Sequence, residues 1–305
     1  MTYLIRIWLL CWWGLLTLPA TAQQDFSWWN DLAGWDGVTT WEQYLTIAPA
    51  TLGPNALPVP QFLTGRMDTT AYVGLAGVCH HHTGDPTENL ALDVFTPLFS
   101  NRVALALSWV PYERYHFTET IRNERLARNF TGEGNTIGDI YIATLIQLLP
   151  PGKKGFEAML RITLKTASGD DLGSARYTDS AGYSFDLSFG KDFPLNQGSS
   201  ALRPYLMGGF YVWQTFDIQN LQNDAISFAA GLEWRSPKWI VNAGFGGYSG
   251  YQNNGDQPLV SRLSLMTNRS GRLQYQVGWQ HGWRDFGYSS FSFGGRYSFS
   301  KGAGF

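Results

Sequence analysis

The chain of 305 residues is poor in cysteine, in charge and in long apolar runs. Its two cysteines are Cys11 and Cys79, and Cys11 falls in an N-terminal stretch with the marks of a secretory leader. One remaining cysteine makes no intramolecular disulfide, which excludes the small disulfide-stapled secreted domains. Charged residues are 15% of the chain, fewer than a water-facing surface normally carries. Lys and Arg (22) nearly balance Asp and Glu (24), for a formal charge of −2. That balance offers no basic surface for nucleic acid. Beyond the leader no apolar run reaches the ~20 residues of a membrane helix. No phosphate-binding loop is present either, because Gly244–Gly247 sits inside a strand pattern instead of opening a helix.

The leader is read first so that it can be set aside. Arg6 precedes the apolar run Ile7–Leu18, and Ala20-Thr21-Ala22 forms a small-residue cleavage site. Residues 1–22 are therefore expected to be a signal peptide, with Gln23 as the mature N-terminus. A retained anchor is the alternative, but the run is short for spanning. Losing Arg6 moves the formal charge from −2 to −3. Cys11 follows Leu10, where a lipoprotein signal needs a small residue.

What the chain has in quantity is aromatics (15%), 34 glycines and strict alternation. In Gly155–Ser168 one face reads Phe156, Ala158, Leu160, Ile162, Leu164, and the other Glu157, Met159, Arg161, Thr163, Lys165. In Tyr288–Ser300 one face reads Phe291, Phe293, Gly295, Tyr297, Phe299, and the other is mostly serine with Arg296. Only a strand separates residues in this way. Twelve such strands are predicted: 70–82, 89–98, 102–116, 138–149, 155–168, 181–192, 202–214, 225–235, 238–249, 257–267, 271–282 and 288–300. The connectors between them alternate between short (Ser236–Pro237, Asn268–Ser270) and mostly longer (Phe117–Ile137, Gly169–Ser180), with Phe193–Ala201 the one long connector on the short side. An even strand count with short turns at one end and long loops at the other predicts an all-β, antiparallel up-and-down barrel spanning a bacterial outer membrane. The barrel is assigned residues 68–305, with lipid as its outer partner. A soluble β-sandwich is the alternative, but one core would have to serve some 235 residues. The chain ends on Phe305, in phase with Tyr297 and Phe299. That pattern resembles the C-terminal signal by which the barrel-assembly machinery takes up such proteins.

Residues 23–67 break the pattern. Trp28, Trp29, Trp35 and Trp41 and the prolines at 49, 54, 58 and 60 show no period of two. Proline removes donors and restrains its neighbour, so this region is either a periplasmic lead-in or a plug folded into the lumen. The charged loop Phe117–Ile137 either constricts the pore or, more simply, lies on the surface.

If the apolar faces meet lipid, the inward residues include Asp139, Glu157, Arg161, Lys165, Asp186, Asp192, Glu233, Arg235, Arg262, Arg272, Gln274, Gln276 and Arg296. Both signs occur, so they either line a water-filled pore or pair across a filled one. Twelve strands enclose more room than the eight that side chains fill. Cys79, His80, His81 and His82 offer metal-type ligands, but alternation sends Cys79 and His81 one way and His80 and His82 the other. No metal or other cofactor is assigned. No His-x-Ser pair occurs on any strand, and His81-His82-Thr83 is the nearest approach. No catalytic residue is therefore assigned.

One resemblance is local. Gly138-Asp139 opens a strand, the hairpin Leu164-Lys165-Thr166-Ala167-Ser168-Gly169 follows, and Tyr177-Thr178-Asp179 leads into Tyr183–Lys191. This layout resembles the porin-like outer-membrane proteins associated with phenol degradation by the meta pathway. In that family the hairpin commonly reads Lys, an apolar residue, Pro, Thr, Gly; here the proline is absent and Ser168 stands for Thr. The resemblance implies passage of small, often hydrophobic molecules, but the altered hairpin does not carry that substrate class over. The expected function is passive or facilitated passage of small solutes across the outer membrane. A non-conducting structural or adhesive barrel is the main alternative, and a lipid-acting barrel enzyme is the third.

Overall fold

The structure is a computed structural model that describes residues 25–98, 102–150, 152, 155–268 and 272–299, in two units, Met1–Trp35 and Asp36–Phe305. The predicted leader and Phe305 lie outside the described residues. The first unit contributes helix α1 (Ser27–Ala33), which ends at Gly34 with φ +63°, a left-handed position that glycine adopts without a Cβ clash.

The second unit opens with a 3-10 turn at Trp41–Tyr44 and an irregular, proline-bearing segment to residue 71. The strands follow: β1 (Tyr72–His81), β2 (Thr87–Pro97), β3 (Val103–His116), β4 (Glu133–Thr136), β5 (Tyr141–Leu149), β6 (Glu157–Lys165), β7 (Gly182–Gly190), β8 (Phe193–Leu195), β9 (Ser200–Gln214), β10 (Gln222–Arg235), β11 (Trp239–Gly250), β12 (Leu259–Thr267), β13 (Leu273–Arg284) and β14 (Ser289–Ser298). Short helix α2 (Glu119–Glu124) precedes β4. Every pairing is antiparallel. β1 pairs with both β2 and β14, with Tyr72 opposite Ser298 and His81 opposite Ser289, and β10 pairs with both β9 and β11. Twelve strands thus close into a barrel, so the wall itself has no first or last strand left unpaired. β4 is an extra strip on β3, and β8 folds back on β9.

Each of the twelve predicted strands is present, with its ends within about three residues of the expected ones. The polarity of the wall is reversed from that of a soluble protein. Leu164 is 57% exposed while its neighbour Lys165 is 2% exposed, and Phe293 is 59% exposed while Ser290 is 7%. A soluble monomer rarely leaves a contiguous apolar surface beyond a few hundred Å²; here Leu75, Ile142, Phe185, Leu206, Phe245 and Trp279 continue that surface around the barrel. Lipid is the solvent that suits it.

Inside, two buried apolar clusters lie near opposite ends. Leu45, Ile47, Leu52 and Leu57 meet Tyr211, Trp213, Tyr248 and Tyr288 at the end carrying the long loops. Leu63 and Met67 meet Phe95, Leu145, Met159 and Met207 at the short-turn end. The chain therefore runs down the barrel interior from about residue 45 to residue 67 before it enters the wall as β1. Gly65 and Gly190 mark where it touches the wall: a Cβ on Gly65 would stand 2.6 Å from the Gly190 nitrogen. The charged loop Phe117–Ile137 is not the simple surface loop that its composition suggests. Phe117, Ile121 and Ala127 join the loop-end cluster and Arg125 is buried, because its charges find partners inside the mouth.

Candidate functional site: the occupied lumen

The segment descending the lumen is proline-rich, so it cannot satisfy its own carbonyls by regular pairing. The wall meets it in three tiers.

At the loop end a closed polar network holds it. Arg176 is fully buried and bridges two carboxylates, Asp85 (Nη1 to Oδ1, 3.0 Å) and Glu113 (Nη2 to Oε1, 2.7 Å). Arg125 donates to Asp85 at 2.6 Å and to Tyr288 at 3.0 Å, and the Tyr288 hydroxyl donates to Asp85. Tyr177 donates to Glu113 at 2.7 Å, and so does Asn55 of the descending segment at 2.6 Å. Two carboxylates face two guanidiniums, so the buried charge is balanced. Burial acts to raise the Asp85 carboxyl, but Arg176, Arg125 and the Tyr288 hydrogen bond outweigh it and hold the group below its ordinary value.

From the loop end down to the middle, the wall reaches the backbone of the segment. Trp213 donates its indole N–H to Ile47 O (3.1 Å), and Tyr248 donates to Leu57 O (2.8 Å). Arg262 donates to Val59 O and Pro60 O, both at 2.6 Å, and its guanidinium lies over Phe62. Arg161 donates to the side chain of Gln61 at 3.1 Å.

At the short-turn end a second balanced network closes the path. Arg66 pairs with Glu157 and, at 2.7 Å, with Asp192. Arg203 pairs with the same two carboxylates at 2.6 and 2.7 Å and donates to Thr64 O. Gln147 both accepts from Met67 N and donates to Gly65 O, each at 2.8 Å.

The predicted inward residues are distributed through these tiers. Glu157, Asp192, Arg161 and Arg262 touch the segment directly, while Arg296 pairs at 3.1 Å with Asp68, just beyond the segment. Lys165 and Asp139 pair with each other at 2.6 Å, both buried. Asp186 accepts from Ser184 and Ser227. Glu233 pairs with Arg235 near the end of β10, and Gln274 and Gln276 lie on β13. Arg272 stands apart: it is exposed just ahead of β13, and its guanidinium reaches the outward-facing Tyr297. Asp85, Arg125, Arg176 and Asn55 were not among the sequence candidates. They lie in connectors and in the irregular segment, where no period marks a facing direction.

Cys79, His80, His81 and His82 do not converge. Cys79 and His81 are exposed on the outer face, whereas His80 is buried and faces inward. His82, past the end of β1, packs on Tyr288. Among the described residues no group of three or more ligand-type side chains is placed to hold a metal ion.

Space remains on both sides of the segment. A cavity of about 600 Å³ runs along the wall from His80 and Ser290 to Asp68 and Arg296. A second of about 230 Å³ lies across the segment, between Arg161, Tyr141, Tyr211 and Arg262.

A solved outer-membrane channel shares this fold, and two autotransporter barrels align less closely. An outer-membrane channel from Pseudomonas putida F1 superposes with a TM-score of 0.53 at 11% identity, over 79% of this chain and 100% of that one. The β domain of the Bordetella autotransporter BrkA gives 0.48 at 12% identity, over 76% and 100%. The transport unit of the autotransporter AIDA-I from Escherichia coli gives 0.48 at 7%, over 79% and 93%. At such identities the likeness is one of fold. No protein-family profile and no curated protein matches the sequence.

Proposed function

We propose that this chain is an outer-membrane channel for small solutes in which residues 45–67 act as a resident plug. The observation that carries this reading is how the segment is held. Besides packing into its two apolar clusters, it is held by charge-balanced polar networks at both ends, and a cavity of about 600 Å³ lined by polar and apolar side chains lies beside it. A barrel built only for structure is better stabilised by an apolar filling, since buried ion pairs are often no better than well-packed apolar groups. Charged contacts that loosen together suit a segment that shifts. The long loops then face outward and the short turns face the periplasm. The balanced networks at the two ends favour neutral or weakly charged solutes.

Liposome swelling tests the proposal. Proteoliposomes containing the full chain are expected to admit small neutral solutes slowly. The pair of substitutions Arg66→Ala and Arg203→Ala releases the short-turn network and is expected to speed swelling several-fold. A folded wild type and a folded double variant that both leave the liposomes impermeable would overturn the channel reading in favour of a closed barrel.

A further inference from the structure

On the inner wall beside the large cavity, three side chains from adjacent strands form a hydrogen-bonded relay. His80 on β1 stands opposite Ser290 on β14 in the pairing register. Its Nδ1 lies 2.7 Å from Ser290 Oγ, and its Nε2 lies 2.7 Å from Oδ1 of Asn89 on β2. The tautomer follows from the network. Asn89 Oδ1 also accepts from Asn55 Nδ2 at 3.1 Å, so this oxygen is the acceptor for the imidazole. Nε2 therefore carries the proton and Nδ1 accepts from the Ser290 hydroxyl. A hydroxyl facing a basic imidazole nitrogen, with the imidazole oriented by a third polar group, is the arrangement that activates a nucleophile.

The surroundings are those of a site. Ser290 and His80 both line the cavity of about 600 Å³, a volume within the range of small-molecule pockets. Gln280 of β13 stands opposite Ser290 in register and lines the same cavity. Its Oε1 accepts from Arg262 Nε at 2.6 Å, which fixes the amide and leaves its NH2 to donate to a developing oxyanion. A scan for His-x-Ser along one strand misses this set, because the partners are 210 positions apart and meet only where β1 closes on β14.

We propose that Ser290 is a nucleophile with His80 as its base, and that this inward site cleaves small esters admitted to the lumen. Ser290 Oγ bonds to the acyl carbon as its proton passes to His80 Nδ1. The ester C–O bond then breaks, and the alcohol leaves with that proton. Water next adds to the acyl-serine with His80 again accepting the proton, and the bond to Oγ breaks to release the acid and restore Ser290. Asn89 is a positioning residue that holds the reactive tautomer. The inference does not require that solutes cross the whole barrel, only that they enter the cavity.

The test uses the full chain refolded in detergent, with heat-modifiable gel migration confirming the barrel. Diethyl p-nitrophenyl phosphate, a small serine-directed reagent, is added and the adduct is mapped by mass spectrometry. The expected adduct is on Ser290, absent in Ser290→Ala, and formed at least ~100-fold more slowly in His80→Gln. p-Nitrophenyl acetate turnover should fall in parallel. Asn89→Ala should slow labelling and alter its pH profile, while Asn89→Asp should restore both. A folded wild type with no adduct on Ser290 would show that the three groups are only a structural hydrogen-bond chain. So would labelling as fast in His80→Gln as in wild type. If His80→Gln does not fold, the wild-type map and the Asn89 pair decide the matter.

Discussion

Arg176 shows how a single side chain organises the mouth of the barrel. It is fully buried, sits in a loop, and bridges Asp85 and Glu113, residues 91 and 63 positions away. Removing it leaves two carboxylates buried with less than their full complement of donors. Arg176→Ala is expected to cost about 3–5 kcal/mol, measurable as a lower urea midpoint for the barrel in lipid vesicles. Asp85 sets the acid limit of the same cluster. Its folded value is held below the unfolded 3.8, so its charge contributes stability that is fully present above 3.8 and is lost as the pH falls through the folded value. The cluster should hold at mildly acidic pH and open only below 3.8, read as protease cleavage within Phe117–Ile137. Asp85→Asn should weaken the loop at neutral pH and flatten that acid transition.

Among elements, the strands were legible because each has one face in lipid and one in the interior, and that contrast writes a period of two into every strand. Glu157, Arg161 and Lys165 could be placed inward from β6 alone for this reason. The descending segment carries no such record. Its prolines showed that it was not strand, but the partners Glu157, Arg203, Gln147 and Arg262 are distant in sequence and set by closure of the barrel. The two short strips β4 and β8 were likewise hidden inside connectors, since four residues or fewer of strand leave no readable period. The close approach of Gly65 to Gly190 tests how tightly the segment is seated. Gly65 holds φ +79°, and an added Cβ would meet the Phe189–Gly190 peptide and the Glu157 carbonyl within 3 Å. Gly65→Ala is therefore expected to displace the segment from β7 and β6. The barrel should still form, while proteolysis of residues 45–67 in the folded protein rises several-fold.

For the whole molecule, the outer wall and the inner path answer to different solvents. Outside, Leu, Phe, Trp and Tyr face lipid along all twelve barrel strands. Inside, two charge-balanced networks cap a path filled by the chain's own N-terminal region and flanked by cavities of about 600 and 230 Å³. The sequence showed the wall in full and left the state of the lumen open, because a pore and a filled barrel have the same alternation. On the proposed reading, whether the barrel conducts depends on residues 45–67. Single-channel recording in planar bilayers, comparing the full chain with a chain lacking residues 36–67, is the most direct measurement. The account predicts small or rare openings for the full chain and large, steady steps once the segment is gone. Equal conductance in the two, or no steps from a folded barrel lacking the segment, would contradict it.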